Sequence, residues 1–424
     1  MIRCFTPAGR RRLTALPWLW LVAGLAVLPG RADEPKNRDK DVHYDEAQVP
    51  PYDLPPLLLT AEGRRITTPE EWFNIRRPQI MGLFGNLIYG TVPEPASPLR
   101  RAFTVDQTDR HFLQDTATRK VVRVGFANDR GQAEMQLVVI TPNGRDTPAP
   151  ILMLNTFDTT HGDAFDAAPD RPGRLRNGIP LGDILRRGWG FAAVYQQDLV
   201  GHNEVTFSKG IHPLFYRPGQ SFPKAHECGV IAAVAWGFSR ALDYLATDAD
   251  CDARRVALMG HSKMGKATLW AAAQDQRFAL AIAAQSGCGG AALWRRKTGE
   301  TLAKMATRFP YWLCRNAGKY VNNEDDLPVD QHMLLACIAP RPVYLAGGQE
   351  DRWADPLGQY ETAWQAGEVY RLLGKSALTD RRPPPLDQAI IDSAVGFHNR
   401  PGGHSVQDDD WNHFLDFATH HLGR

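Results

Sequence analysis

Cysteine is scarce: six in 424 residues, with no pair spaced as C-x-x-C. That absence removes the common zinc and redox motifs from consideration. One-sided charge is lacking too. Lys and Arg total 49 against 47 Asp and Glu, a formal net charge of +2. Such a balance offers no excess of cations for neutralising phosphates, so a nucleic-acid partner is not expected. No apolar run reaches the roughly 20 residues that a membrane-spanning helix needs. Gly287-Cys288-Gly289-Gly290 lacks the Gly-Lys-Ser/Thr ending of a phosphate loop and reads as a tight turn. Aromatic residues are plentiful, with 18 Phe, 11 Tyr and 11 Trp, and a chain so composed can bury enough surface to fold.

The first 32 residues carry five arginines (Arg3, Arg10, Arg11, Arg12 and Arg31) and no acid. An apolar stretch from Leu13 to Leu28 follows the arginine triplet, then Pro29-Gly30-Arg31-Ala32. A basic start, a short apolar middle and a small-residue end describe a secretory signal peptide, and export to periplasm or medium is expected. Without residues 1–32 the chain keeps 44 Lys and Arg against 47 acids, a charge near −3. Five cysteines remain (Cys228, Cys251, Cys288, Cys314 and Cys337), an odd number that leaves at least one without an intramolecular disulfide.

Residues 33–118 read as a proline-rich arm followed by a helix. Thr68-Pro69-Glu70-Glu71 suits a helix start, with a capping hydroxyl, proline in the first turn and an acid three residues on. The helix is expected to run towards Tyr89, kinked at Pro78. Residues 119–424 alternate between strands and helices, beginning with a hairpin around Asn128-Asp129-Arg130-Gly131. Apolar strands alternating with helices predict a mostly parallel central sheet covered on both faces.

The segment Gly260-His261-Ser262-Lys263-Met264-Gly265-Lys266 lies between a predicted strand and a predicted helix. A serine on such a glycine-flanked turn is presented at a helix N-terminus, where backbone N–H groups favour a developing oxyanion. The spacing G-x-S-x-x-G is one residue longer than the usual nucleophile elbow. A serine needs a base, and the base an orienting acid, in the chain order serine, acid, histidine for this architecture. The strand ending near Ala346 is followed by Glu350 and Asp351, and the one ending near Phe397 by Pro401-Gly402-Gly403-His404. His404 suits the base better than His398, which the pattern keeps on the strand. Glu350 and Asp351 both suit the acid, with Asp355 more distant. Asp408, Asp409 and Asp410 beside His413 suit a helix cap better than a metal site, so neither metal nor cofactor is expected.

These stretches, with Gly210-Ile-His-Pro-Leu-Phe215, Ala235-Trp-Gly-Phe-Ser-Arg-Ala-Leu-Asp-Tyr244, Ser286-Gly-Cys-Gly-Gly-Ala-Ala-Leu293, Leu327-Pro-Val-Asp-Gln-His-Met333 and Glu350-Asp-Arg-Trp-Ala-Asp-Pro356, resemble the glucuronoyl esterases, carbohydrate esterase family fifteen, particularly the bacterial members. The resemblance runs from about Tyr44 to the C-terminus. It implies an α/β-hydrolase fold, a three-layer sandwich, and hydrolysis of esters between 4-O-methylglucuronic acid of xylan and lignin alcohols. It further implies Ser262 as nucleophile, His404 as base and Asp351 as acid, with Lys266, Glu300 and Trp353 holding the sugar. A monomer acting on glucuronoxylan or lignin-carbohydrate esters is expected. Two residues depart from the family. Lys263 stands where an oxyanion-stabilising arginine is usual, and Gln285 where many members carry the triad glutamate. An esterase for acetyl or feruloyl groups on xylan, and a carbohydrate-binding relative without catalysis, are the alternative readings.

Overall fold

The computed structural model describes residues 42–156, 165–201 and 209–423; the expected signal peptide lies outside them. Nine strands form one sheet in the order β1-β2-β3-β5-β4-β6-β7-β8-β9. The first three, β1 (Arg100–His111), β2 (Ala117–Asn128) and β3 (Gly131–Pro142), run antiparallel, and β3 pairs antiparallel with β5 (Gly190–Tyr195). From β5 onward every pairing is parallel, through β4 (Ala149–Thr156), β6 (Cys251–His261), β7 (Leu280–Ala284), β8 (Val343–Gly348) and β9 (Val395–Arg400). Strands β5, β7 and β8 are buried at every residue, as parallel strands covered on both faces must be.

Helices cover both faces. On one lie α1 (Arg77–Leu87), α3 (Val230–Leu245), α4 (Lys263–Gln274), α5 (Gln331–Ala336) and α6 (Pro356–Leu372), around a core that includes Phe84, Tyr89 and Trp270. The rings of Tyr89 and Trp270 stack 4.8 Å apart. On the other lie α2 (Leu181–Arg186) and α7 (Asp408–Leu422), packed over Trp189, Phe191 and Tyr344. This is the three-layer α/β-hydrolase architecture. Among the described residues no helix is long and apolar enough to cross a membrane.

Three local details differ from the sequence expectations. The Thr68 hydroxyl caps Glu71 N–H at 3.2 Å, but the Glu71 carboxylate reaches back to the Thr67 N–H, one residue before the cap. Pro78 is absorbed without breaking the helical path, because Trp72–Arg76 forms a π turn whose wider hydrogen bonding precedes the proline. Strand β1 falls in the stretch expected as arm and helix. All twelve of its residues are exposed, so no alternation of apolar side chains marked it. The arm itself is tied to the core: Arg76 donates to the Leu57 and Pro56 carbonyls at 2.9 Å, and Tyr52 hydroxyl to Glu361 at 2.5 Å.

Candidate active site

The C-terminal ends of β6, β8 and β9 converge, as ligand sites in parallel sheets require. Strand β6 ends at His261, and the chain turns at Ser262 with φ 57° and ψ −127° before α4 begins. A non-glycine residue in that region is strained by about 1–3 kcal/mol. The turn is tied to β7 by the Ser262 N–H, which donates to the Ala284 carbonyl at 2.9 Å. Both flanking glycines are required by contact. A Cβ at Gly260 would lie 2.2 Å from the Met264 carbonyl oxygen, and one at Gly265 would lie 2.8 Å from Ser286 Cβ. The longer spacing thus has a physical cause: Gly265 admits the Ser286 turn against the helix.

The loops after β8 and β9 are stitched together. After β8, Gln349 N–H donates to the Arg400 carbonyl at 2.8 Å and Glu350 N–H to the Gly402 carbonyl at 3.1 Å. Arg400 pins the β9 loop, donating to the Pro401 carbonyl at 2.7 Å, to the Ser405 carbonyl and to Asp410 at 2.8 Å. Asp351 is buried, and its Oδ2 lies 2.7 Å from His404 Nδ1. A carboxylate only accepts, so Nδ1 carries the hydrogen and Nε2 keeps a lone pair. The His404 side chain is 41 % exposed, open to a substrate. Its ring centroid lies 4.6 Å from that of His261, next to Ser262.

The rival residues are engaged elsewhere. The Glu350 side chain is exposed, and only its backbone N–H joins the loop. Asp355 caps α6 through the Gly358 N–H at 3.0 Å and pairs with Arg296 at 2.8 Å. His398 lies on β9, buried between the Tyr344 hydroxyl at 2.9 Å and Asp410 at 2.7 Å. Asp410 belongs to the capping box of α7, so the acidic run does cap that helix. Gln285 supplies no carboxylate; its side chain joins His261 to the Gly403 carbonyl.

Lys266, one turn along α4 from Ser262, directs its three N–H groups at the Ser286 carbonyl (2.8 Å), the Cys288 carbonyl (2.5 Å) and Glu300 Oε2 (2.7 Å). Burying this ion pair is tolerable because every donor is met. Glu300 N–H in turn donates to the Trp353 carbonyl at 2.9 Å, so the three residues form one connected group. Trp353 is half-buried, with the Arg308 guanidinium 5.1 Å from its ring. Lys263 is buried, and desolvation pushes its ammonium down to about 7. Its Nζ lies 5.2 Å from the Trp312 ring, and Lys266 Nζ lies 5.9 Å from the same ring. Trp312 itself stacks on Phe309 at 3.8 Å. Sequence reasoning passed over Trp312, since nothing in its spacing connects it with Lys263. The five cysteines described are all buried and free. Among the described residues no three His, Cys, Asp or Glu side chains gather as a metal site.

Known proteins share this architecture and are related in sequence. The family model for fungal glucuronyl esterases matches residues 191–374. The chain is 38% identical over 403 residues to the carbohydrate esterase MZ0003 from an unknown prokaryotic organism, covering 90% of this chain and 92% of the relative. It is 31% identical to the 4-O-methyl-glucuronoyl methylesterase of Schizophyllum commune over 367 residues, 84% of this chain and 82% of that one. Among solved structures, the glucuronoyl esterase from Solibacter usitatus superposes with a TM-score of 0.80 at 37% identity, covering 89% of this chain and 100% of that one. The chain therefore belongs to the glucuronoyl esterases, a family of carboxylic ester hydrolases with the α/β-hydrolase fold.

Proposed function

We propose that this protein is an exported serine esterase that cleaves esters between the 4-O-methylglucuronic acid of xylan and lignin alcohols, using Ser262, His404 and Asp351. The observation that carries the reading is the 2.7 Å His404–Asp351 pair beside the strained serine turn. His404 Nε2 takes the Ser262 proton as Oγ attacks the uronoyl carbonyl. The oxyanion forms at the N-terminus of α4, where the Lys263 N–H and the Lys263 side chain can receive charge. The C–O bond to the alcohol then breaks, and His404 returns its proton to the leaving oxygen. Water enters, gives a proton to His404 and attacks the acyl-enzyme. Breakdown of the second tetrahedral intermediate frees the uronic acid and restores Ser262. Lys266, Glu300 and Trp353 are proposed to hold the sugar, Lys266 through the ion pair that orients Glu300. The basic, acid-free leader supports export.

The test is release of alcohol from benzyl glucuronate by the wild type and by Ser262→Ala, with acetate release from acetylated xylan measured alongside. Loss of glucuronate-ester cleavage in Ser262→Ala is expected. Full activity in that variant, or cleavage confined to acetyl esters, refutes the reading.

A further inference from the structure

Gln285 immediately follows β7, with backbone φ of 47° and its N–H donating to the Ala346 carbonyl at 2.7 Å. The residue is 3% exposed, and both ends of its side-chain amide are used. Nε2 donates to the Gly403 carbonyl at 3.2 Å, and Oε1 lies 2.8 Å from His261 Nε2. The polarity follows from chemistry alone. A carbonyl can only accept, so the NH2 end of the amide must face Gly403, and the oxygen must face His261. His261 must then carry its hydrogen on Nε2. Gly403 immediately precedes His404, and the His261 ring lies 4.6 Å from the His404 ring at 42°.

We propose that His261 and Gln285 are positioning residues for the base, a neutral imidazole and an amide that together hold the Gly403–His404 segment and the His404 ring in the geometry that Asp351 and Ser262 need. The proposal rests on the Ser262–His404–Asp351 reading. His261 is suited to the role because burial, and then the neighbouring His404, push its pKa down to about 4 against the opposing pull of Gln285, Asp351 and Asp410. It therefore adds no positive charge beside His404 when His404 becomes imidazolium. Gln285 is suited because it donates. A glutamate here would set carboxylate against the Gly403 carbonyl, acceptor to acceptor, in a buried and crowded site: a Cβ on Gly348 would lie 2.9 Å from Nε2. The departure from the family's glutamate is thus a gain of a donor as well as the loss of an acid. Asp351 supplies the acid from the next strand.

The full chain carrying His261→Phe, His261→Gln, Gln285→Glu or Gln285→Met is compared with wild type and Ser262→Ala for kcat and KM on benzyl glucuronate, rate of fluorophosphonate labelling at Ser262, and Tm. Displacing a catalytic group by about 1 Å can lower the rate on the order of 100-fold. His261→Phe and Gln285→Glu are expected to lower kcat and the labelling rate about 10- to 100-fold, with KM within about twofold. His261→Gln, which restores an N–H donor at similar reach, is expected to recover to within about fivefold of wild type. Should Gln285→Glu fail to fold, Gln285→Met removes the same donor without adding a charge and carries the same expectation. Retention of kcat within about twofold in both His261→Phe and the folded Gln285 variant overturns the proposal. So does a His261→Gln variant as impaired as His261→Phe. If instead Ser262→Ala is fully active, the serine mechanism falls and this proposal with it. An inactive Ser262→Ala beside active His261 and Gln285 variants removes only the positioning role.

Discussion

Replacing Asp351 by Asn tests the site most directly, because it removes one charge and leaves the shape. In the proposed mechanism His404 starts as a neutral imidazole, with Asp351 fixing its tautomer through the 2.7 Å contact. In the transition state His404 becomes imidazolium, and the buried carboxylate faces a full positive charge. Taking the charge centres as about 4 Å apart, at an effective dielectric of about 20, the attraction is about 4 kcal/mol. That corresponds to about 1,000-fold in rate. Exposure of His404 on one side screens part of this, and an asparagine amide can donate to Nδ1 and impose the wrong tautomer, which acts the other way. A loss of kcat of about 100- to 1,000-fold with little change in KM is therefore expected, read from initial rates on benzyl glucuronate across a range of concentrations. Glu350→Gln, one residue away and exposed, should leave kcat unchanged. Asp351→Asn retaining more than a fifth of wild-type kcat, or Glu350→Gln proving the more damaging, would show that the acid is elsewhere.

Two further outcomes follow from the buried charges. Burial holds the Lys263 pKa down at about 7, whereas in the unfolded chain the amine keeps its ordinary value near 10.4. Below 7 both states are protonated and the folded state bears the full desolvation penalty; from 7 towards 10 the folded state sheds the proton and the penalty eases. Lys263→Met should therefore raise Tm most at pH 6 and progressively less towards pH 9, as thermal unfolding at several pH values would reveal; a gain independent of pH would contradict the buried ammonium. His398→Gln should show the reverse of a catalytic phenotype. It breaks a buried link to Tyr344 and Asp410 and should lower stability by about 1–3 kcal/mol in urea titration. Because the hydrogen bonds of His398 go to Tyr344 and Asp410 rather than to His404 or Asp351, kcat should stay within about threefold of wild type, whereas His404→Gln should abolish turnover with little change in stability.

Much of the site was legible in the chain itself because its parts are local. Gly260 and Gly265 around Ser262 mark a turn whose need for small residues is set by neighbours a few positions away. The Gly402-Gly403-His404 loop follows an apolar strand, and Asp408–Asp410 start a helix, so each piece announces its element through its own composition. Helix α4 begins at Lys263, directly after Ser262, where the predicted strand-to-helix turn puts it, for the same reason. Strand β1 went unseen because an exposed strand needs no apolar alternation. Helix α6 has no clean amphipathic pattern, since it carries Gly358 and Gly367 and is buried along much of its length.

What sequence alone determined, then, was the strand-helix alternation after residue 119, the serine turn and the two loop ends after β8 and β9, since those follow from nearest-neighbour sterics and periodicity. Only the tertiary structure distinguishes the three acids. Glu350, Asp351 and Asp355 lie within six residues of one another, and they differ in what the folded chain brings to each: solvent, the His404 imidazole, and the Arg296 guanidinium with the start of α6. It likewise joined Gln285 to Gly403, 118 residues apart, and placed Trp312 over two lysines of α4. Contacts of that range are set by how strands register in the sheet and how loops meet at its edge, and no local pattern records them.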